Sequence, residues 1–325
     1  MTAAPGGILL GDIGGTNARF AVLDADGLGP VITLPVAGYS SPASAIDEFL
    51  LTSGAAIGSM VLAVAGPVEG SRVVMTNSGW VINAEALSQD FSVNSVRLVN
   101  DFAALAWSLD RLQDSDLHGL SGSRTATGPK VVVGPGTGLG VACLVRQGSG
   151  GIVLSSEGGH MTMAGSNARE DAVLAFLRAK WGHVSAERVV SGPGLRNLYE
   201  AVTGLAGEMP ASRTSAAIVA AARDGSCQYC AEALELFCGF LGSFAGNAAL
   251  TFAATGGVYI GGGIVPHMID RLEKSAFRER FQAKGRFKNY LARIPVFAIT
   301  CPNPAMIGLQ AMVAQENDCE RTTGS

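Results

Sequence analysis

Two glycine-rich turns, Gly14-Gly15-Thr16 and Gly134-Pro135-Gly136-Thr137-Gly138-Leu139-Gly140, each stand between two apolar stretches of strand character. Ile8 to Asp12 enters the first, and a strand alternating through Phe20 and Val22 leaves it. Val131-Val132-Val133 enters the second, and Val141 to Val145 leaves it. Strand, glycine turn, strand is a hairpin rather than a strand feeding a helix. Superposing Gly15-Thr16 on Gly136-Thr137 also aligns Ala21 with Ala142, so one offset of 121 residues serves both. The pattern predicts an internally duplicated, hairpin-bearing α/β lobe. A chain of 325 residues has the length for two such units.

The remaining chain alternates strand and helix. Ser41-Pro42 supplies a cap and an N1 proline for a helix with Ile46, Phe49 and Leu50 on one face. Val61 to Val64 reads as a buried strand, Asn83 as the cap of a short helix, and Val96 to Val99 as a strand running into Asn100-Asp101 and a helix from Phe102 to Leu109. A further helix begins near Asn167, with Glu170 placed for a capping box. Val258 to Ile260 and Val296 to Ile299 are strands, Asn303-Pro304 opens a last helix, and the chain from about Gln315 reads as a frayed tail.

Leu236 to Ile269 contains no Asp, Glu, Lys or Arg, which by length alone would allow a membrane span. Asn247, Gly256-Gly257, Gly261-Gly262-Gly263 and Pro266 interrupt it, so a buried helix from Cys227 to about Ala253 followed by a buried strand is expected instead. Charged residues make up 15% of the chain against 48% apolar, net charge is −4, and no Lys/Arg-rich block occurs. Disorder, an electrostatic grip on nucleic acid and membrane association are therefore not expected. The N-terminus carries no cationic segment before its apolar stretch, which meets Asp12 at once; a cytoplasmic protein is expected. Six irregularly spaced cysteines suit a reducing compartment. Cys227-x-x-Cys230 invites a zinc or redox reading, but no second CxxC or nearby His completes four ligands, and cysteine as helix filler competes with it.

Backbone N–H groups can surround phosphate oxygens only where side chains do not obstruct them, and glycine hairpins meet that need. Asp12, before the first turn, can hold Mg²⁺ directly or through water. A tight turn with a capping Asp fits the same residues. No Gly-Lys dipeptide occurs, which excludes a GxxxxGK[ST] loop, and no GxGxxG register fits Gly134 to Gly140. No GxSxG elbow is present either. What is left is hairpin-type phosphate binding with little lysine. Gly256-Gly257 and Gly261-Gly262-Gly263, on either side of one strand, would let a flat adenosine approach the backbone, or would serve helix–strand packing.

Asn100-Asp101 lies where a strand ends and a helix begins, a favoured place for functional groups and equally a routine N-cap. Glu157-Gly158-Gly159-His160 adds a carboxylate and an imidazole on a glycine-flexed loop, and Glu187 stands in a mostly apolar segment. Together with two phosphate-type turns, these acceptors suit an alcohol substrate such as a sugar.

The ordered set Gly11-Asp12-Ile13-Gly14-Gly15-Thr16-Asn17-Ala18-Arg19, Asn100-Asp101-Phe102, Gly136-Thr137-Gly138-Leu139-Gly140, Glu157-Gly158-Gly159-His160 and Glu187-Arg188-Val189-Val190-Ser191-Gly192-Pro193-Gly194-Leu195 resembles the proteobacterial-type glucokinases. The likeness continues through Gly256-Gly257-Val258 and Gly262-Gly263-Ile264-Val265-Pro266 and covers almost the whole chain. It implies a two-lobed actin-like ATPase (ribonuclease H-like) α/β fold, with duplicated mixed sheets and flanking helices. The implied lobes are residues 1–111 plus about 303–318, and 112–302. It further implies transfer of a phosphoryl group from MgATP to the 6-hydroxyl of glucose, with Asp101 as base. Asn100, Glu157, His160 and Glu187 would hold the sugar. Gly11, Asp12, Ile13, Gly14, Gly15, Thr16, Asn17, Gly136, Thr137, Gly138, Gly262 and Gly263 would meet ATP, and a homodimer follows from the family alone. Ser156 replaces a glycine common before Glu-Gly-Gly-His, and Pro135 removes an N–H from the second cradle. The cysteine-rich zinc motif of the related ROK sugar kinases is missing, and nothing resembles an added helix-turn-helix. A kinase for another hexose or an N-acetylated amino sugar, or a non-catalytic sugar-responsive regulator, would share much of this pattern.

Overall fold

The computed structural model describes residues 6–75, 78–124, 127–148 and 150–323, with side chains through residue 316. In chain order the elements are β1 (Gly7–Ile13), β2 (Asn17–Asp24), β3 (Gly27–Leu28), β4 (Ile32–Pro35), α1 (Pro42–Ser53), β5 (Ile57–Val64), β6 (Arg72–Val74), β7 (Val81–Asn83), α2 (Ala84–Asp90), β8 (Ser95–Asn100) and α3 (Asp101–Ser108). There follow β9 (Leu117–Ser121), β10 (Lys130–Pro135), β11 (Leu139–Gln147), β12 (Gly150–Ser156), α4 (Ala168–Trp181), α5 (Gly192–Leu205), α6 (Ser215–Arg223) and α7 (Gln228–Thr251). The last are β13 (Gly257–Ile260), α8 (Ile269–Lys274), α9 (Phe277–Gln282), α10 (Lys288–Ala292), β14 (Val296–Ile299) and α11 (Pro304–Thr323). Two compact units result: residues 1–112, 148–155 and 302–325 form one, and 113–147 and 156–301 the other.

In the first unit the main sheet runs β3-β2-β1-β5-β8; β1 and β2 are antiparallel, and β1, β5 and β8 are parallel. Both sheet faces are covered, which is why β5 is continuously apolar from Met60 to Val64. Leu9, Ile13, Met60, Leu62 and Val64 pack on the side of α1, while Leu10, Val61 and Ala63 pack on the side of α3 and α11. Successive residues of a strand thus serve opposite cores. α1 starts where expected: the Ser41 hydroxyl accepts from Ser44 N–H and Pro42 occupies the first turn. α11 reaches Thr323, so the tail expected to fray from Gln315 continues as helix. Gln315 itself accepts from Gly151 N–H at 2.7 Å and donates to Gly151 C=O at 3.0 Å. An amide paired with both the N–H and the C=O of one strand residue gives this part of α11 a partner that the polar composition of the tail conceals.

The second unit repeats the first sheet's pattern, β11-β10-β13-β14, with an antiparallel hairpin followed by two parallel neighbours; antiparallel β9 closes its far edge. The two hairpins are the two glycine turns, so the repeat at 121 residues is a repeat of structure. α7 is the helix, among the described residues, long and apolar enough to cross a membrane, but most of it is buried in this unit's core. Its glycines explain themselves locally: a Cβ on Gly242 or Gly246 would collide with the carbonyls of Phe277 and Phe281 on α9.

Glu170 differs from expectation. Asn167 does cap α4 by accepting from Glu170 N–H, but the Glu170 carboxylate takes Ser166 N–H and a bidentate pair from Arg280 at 2.6 and 2.8 Å instead of returning to the cap. Charge-assisted bidentate bonding outcompetes a single backbone N–H. The pair is buried, so Glu170→Ala leaves an uncompensated guanidinium and is expected to cost about 3–5 kcal/mol. Urea denaturation should show this as a lowered midpoint.

Candidate active site

The first unit presents its polar residues at the carboxyl ends of parallel strands, where α/β sheets place functional groups. At the end of β1, Gly14 N–H donates to Asn17 C=O at 3.0 Å and closes the hairpin. Gly11 and Ile13 are interior residues of β1: a Cβ on Gly11 would press on Leu62 and Phe20, and Ile13 lies wholly in the core. Asp12 is half-buried and is paired with Arg19 Nη1 at 3.1 Å. Burial pushes its carboxyl above the ordinary value, outweighing the opposing pull of the Arg19 charge and hydrogen bond. Cations beside a buried carboxylate offset the cost of its charge, as Arg19 does here, and a hydrated magnesium ion would act in the same sense.

The sign of that shift gives a test. Ionised Asp12 is disfavoured by the fold, so its contribution to stability is present at low pH and is lost as pH rises through its raised pKa. Asp12→Asn is therefore expected to melt at or above the wild-type temperature at pH 7. The difference should shrink on acidification, as thermal denaturation across pH would show.

At the end of β8, Asn100 and Asp101 begin α3. Asn100 Oδ1 accepts from Phe102 and Ala103 N–H at 3.0 and 3.1 Å, and its Nδ2 donates to Gly66 C=O at 3.1 Å. Much of this side chain's capacity thus goes into capping, the bland reading of the motif. Asp101, the first helical residue, accepts Phe102 N–H on Oδ1 at 3.0 Å and sits half-buried where the helix dipole favours negative charge.

In the second unit one residue touches both segments that carry three of the expected side chains. Leu139, just after the second glycine turn, gives its N–H to Glu187 Oε2 at 2.9 Å, and its carbonyl lies against Gly159, where a Cβ would collide with it. Glu157 and His160 flank that glycine on the short helical turn Gly158–His160, both more than half exposed, with carboxylate and imidazole 3.9 Å apart. Met161 C=O accepts from Ala186 N–H at 2.8 Å and ties this loop to the one carrying Glu187. Ser156, the departure from glycine, has a local role: its hydroxyl accepts from Gly158 N–H at 2.9 Å. Pro135 is harmless to the sheet because pairing with β13 ends at Val133.

The segment after Glu187 reads as a cap once seen in place. Ser191 Oγ donates to Glu187 C=O at 2.7 Å and accepts from Gly194 N–H at 2.9 Å, with Pro193 in the first turn of α5. Gly192 N–H then donates to Gly136 C=O at 2.8 Å, docking the helix start on the glycine turn. Ser191 is thus a positioning residue, and Ser-Gly-Pro-Gly is the helix-start signal in the sequence that points to it.

The glycines divide into two kinds. Gly262, at φ +90°, lies against Pro135 C=O, and Gly256 against Gly128, so these are packing positions; Gly256-Gly257 sits at the other end of β13 from Gly263 and does not share its surroundings. Gly136 and Gly263 have open space where a Cβ would lie, and Gly14 has only an ordinary contact at 3.5 Å. None of the three has a positive φ, so neither backbone conformation nor packing demands glycine there. Beside Gly263 lies a cavity of about 300 Å³ with mainly apolar walls, formed by Ser215, Ala216, Val219, Ala220, Arg223, Ile264 and His267. The α6 residues of this wall carry no motif that sequence alone would single out.

A family model described as glucokinase matches residues 9–316. The chain belongs to the glucokinase family. It is 47% identical to a glucokinase of Aromatoleum aromaticum, over 98% of this chain and 97% of that protein. The crystal structure of a glucokinase from an Antarctic psychrotroph superposes with a TM-score of 0.83 at 39% identity, covering 95% of this chain and 98% of that one. A ROK-family glucokinase from Streptomyces griseus, solved in complex with glucose and AMPPNP, shares the fold at 19% identity and TM-score 0.61, over 96% of this chain and 100% of that one. The fold is the actin-like ATPase fold of sugar kinases, and the chain is an enzyme of glucose phosphorylation.

Proposed function

We propose that this glucokinase-family chain transfers the γ-phosphoryl of ATP to the 6-hydroxyl of glucose, giving glucose 6-phosphate and ADP. Asp101 accepts the hydroxyl proton. Glu157, His160 and Glu187 hold sugar hydroxyls, with Asn100 contributing what its capping role leaves. The amides from Gly14 through Asn17 and from Gly136 through Gly138 receive the phosphates. Gly263 admits the nucleoside to the cavity beside it, while Gly11, Ile13 and Gly262 act by shaping the strands and turn on which these groups stand. Asp12 would hold Mg²⁺, which supplies neutralisation of phosphate charge when bound. The likeness to glucokinases also supports a cytoplasmic homodimer, and the two compact units support lobes divided near residues 111 and 302, with residues 148–155 joining the first.

The observation that carries this reading is the room left at Gly14, Gly136 and Gly263, glycines that the protein's own packing does not require. Backbone amides at such positions are suited to an anion that comes close to the main chain. The proton acceptor and the amides act together: the alcohol is a weak nucleophile until its proton is taken, and charge developing on the phosphoryl oxygens needs fixed donors. A panel of hexoses with ATP and Mg²⁺, read as ADP release, tests the assignment. Glucose is expected to be the preferred acceptor, with slow ADP release when sugar is omitted. Preference for mannose, fructose or an N-acetylated amino sugar would reassign the substrate, and sugar binding without turnover would mark a regulator.

A further inference from the structure

The CxxC motif has no part in the phosphoryl-transfer reading, yet its placement is specific. Cys227 is the N-cap of α7, a helix of 24 residues, and its sulfur accepts the N–H of Cys230 at 3.4 Å. Cys227 is half-buried, whereas Cys230, one turn into the helix, is fully buried. Arg213, in the loop before α6, has its Nε buried and without a hydrogen-bond partner among the described atoms. Its guanidinium stands 6.0 Å from the Tyr199 ring centre. Among the described residues no group of three or more His, Cys, Asp or Glu is placed to hold a metal, which leaves the zinc reading without ligands.

We propose that Cys227 and Cys230 form a thiol–disulfide exchange site whose co-reactant is a low-molecular-weight disulfide. Cys227 as thiolate attacks one sulfur of that disulfide; its S–S bond breaks, one thiolate leaves and takes a proton from water, and a mixed disulfide forms on Cys227. Cys230 gives its proton to solvent and attacks the Cys227 sulfur, expelling the second thiolate. Two protein thiols are oxidised to one disulfide, and one external disulfide is reduced to two thiols.

The electrostatics point the same way. Burial raises the Cys227 thiol, but hydrogen bonds from the Cys230 thiol and N–H, the Arg213 charge and the Tyr229 N–H together bring it below the ordinary value. Burial and the neighbouring Cys227 push Cys230 up to about 12. Burial likewise pushes Cys143 up to about 11, Cys238 to about 12 and Cys301 to about 11. Around the pair, Arg213 is also bonded to Tyr199 of α5, Asp224 at the end of α6 acts on Cys230, and the Tyr229 hydroxyl donates to Glu208 at 3.2 Å. A lowered attacking thiol on the surface with a raised partner beneath it is the division of labour that exchange requires.

The test is incubation of the full chain with oxidised glutathione near neutral pH, followed by intact-mass measurement and peptide mapping, with native folding checked by an unchanged melting curve. The wild type is expected to lose two hydrogens through a 227–230 disulfide. Cys230→Ser should stall with one glutathione on Cys227, and Cys227→Ser should form neither product. Limited alkylation of the untreated wild type, which needs no variant to fold, should mark Cys227 at least about tenfold faster than Cys143 or Cys238. Glutathione arriving on Cys301 or Cys319 as fast as on Cys227, or a 227–230 disulfide that forms only after unfolding, would overturn the proposal.

Discussion

Asp101→Asn is expected to lower turnover with glucose by roughly 10²–10⁴-fold, the usual contribution of a positioned general base. The substitution keeps the size of the side chain and an oxygen for the Phe102 N–H, so α3 should start as it does now. It removes only the capacity to take a proton at the carboxyl end of β8. Nucleotide affinity, measured separately by titration, should be unchanged, since the proposed phosphate amides lie on other turns. Full turnover in this variant would take Asp101 out of the mechanism.

Gly159→Ala is expected to reduce kcat/KM for glucose by about 10²-fold, mainly through KM for the sugar, while KM for ATP changes little. The added methyl would meet Leu139 C=O, and backbone cannot yield as a side-chain tip would. Either the Glu157–His160 turn or the Leu139 peptide must shift. Each carries a proposed sugar ligand, because Leu139 N–H holds Glu187. A displacement near 1 Å of a positioning group is enough for a loss of this order. Steady-state kinetics with each substrate varied in turn separates the two KM values. Equal losses for both substrates would mean that the change spreads into the second glycine turn.

The parts of the fold that rest on local chemistry are legible in the sequence. Ser41-Pro42, Asn83 and Asn167 start helices because a short polar side chain there satisfies orphan N–H groups, and the structure has each of them as a cap. Both hairpins were legible because glycine turns between apolar strands have few other solutions. The short strands Arg72–Val74 and Val81–Asn83 were not, since three residues give no period to read. Glu170 sits at a capping-box position, but its partner Arg280 is 110 residues away in sequence, and no local rule foresees it. The site shows the same division. Motifs single out candidate residue types, but the role of Leu139 as the residue whose backbone joins Gly159 and Glu187 is a matter of tertiary placement. Nor did the motifs separate glycines that pack, such as Gly262, from glycines that leave room, such as Gly136.

The most direct measurement is phosphorus-31 NMR of the chain mixed with ATP, Mg²⁺ and glucose, alongside the same mixture without sugar. ADP and glucose 6-phosphate should grow in equal amounts in the first sample, with little inorganic phosphate in the second. Inorganic phosphate released at the same rate with or without glucose, or a phosphate ester at another carbon, would contradict the account.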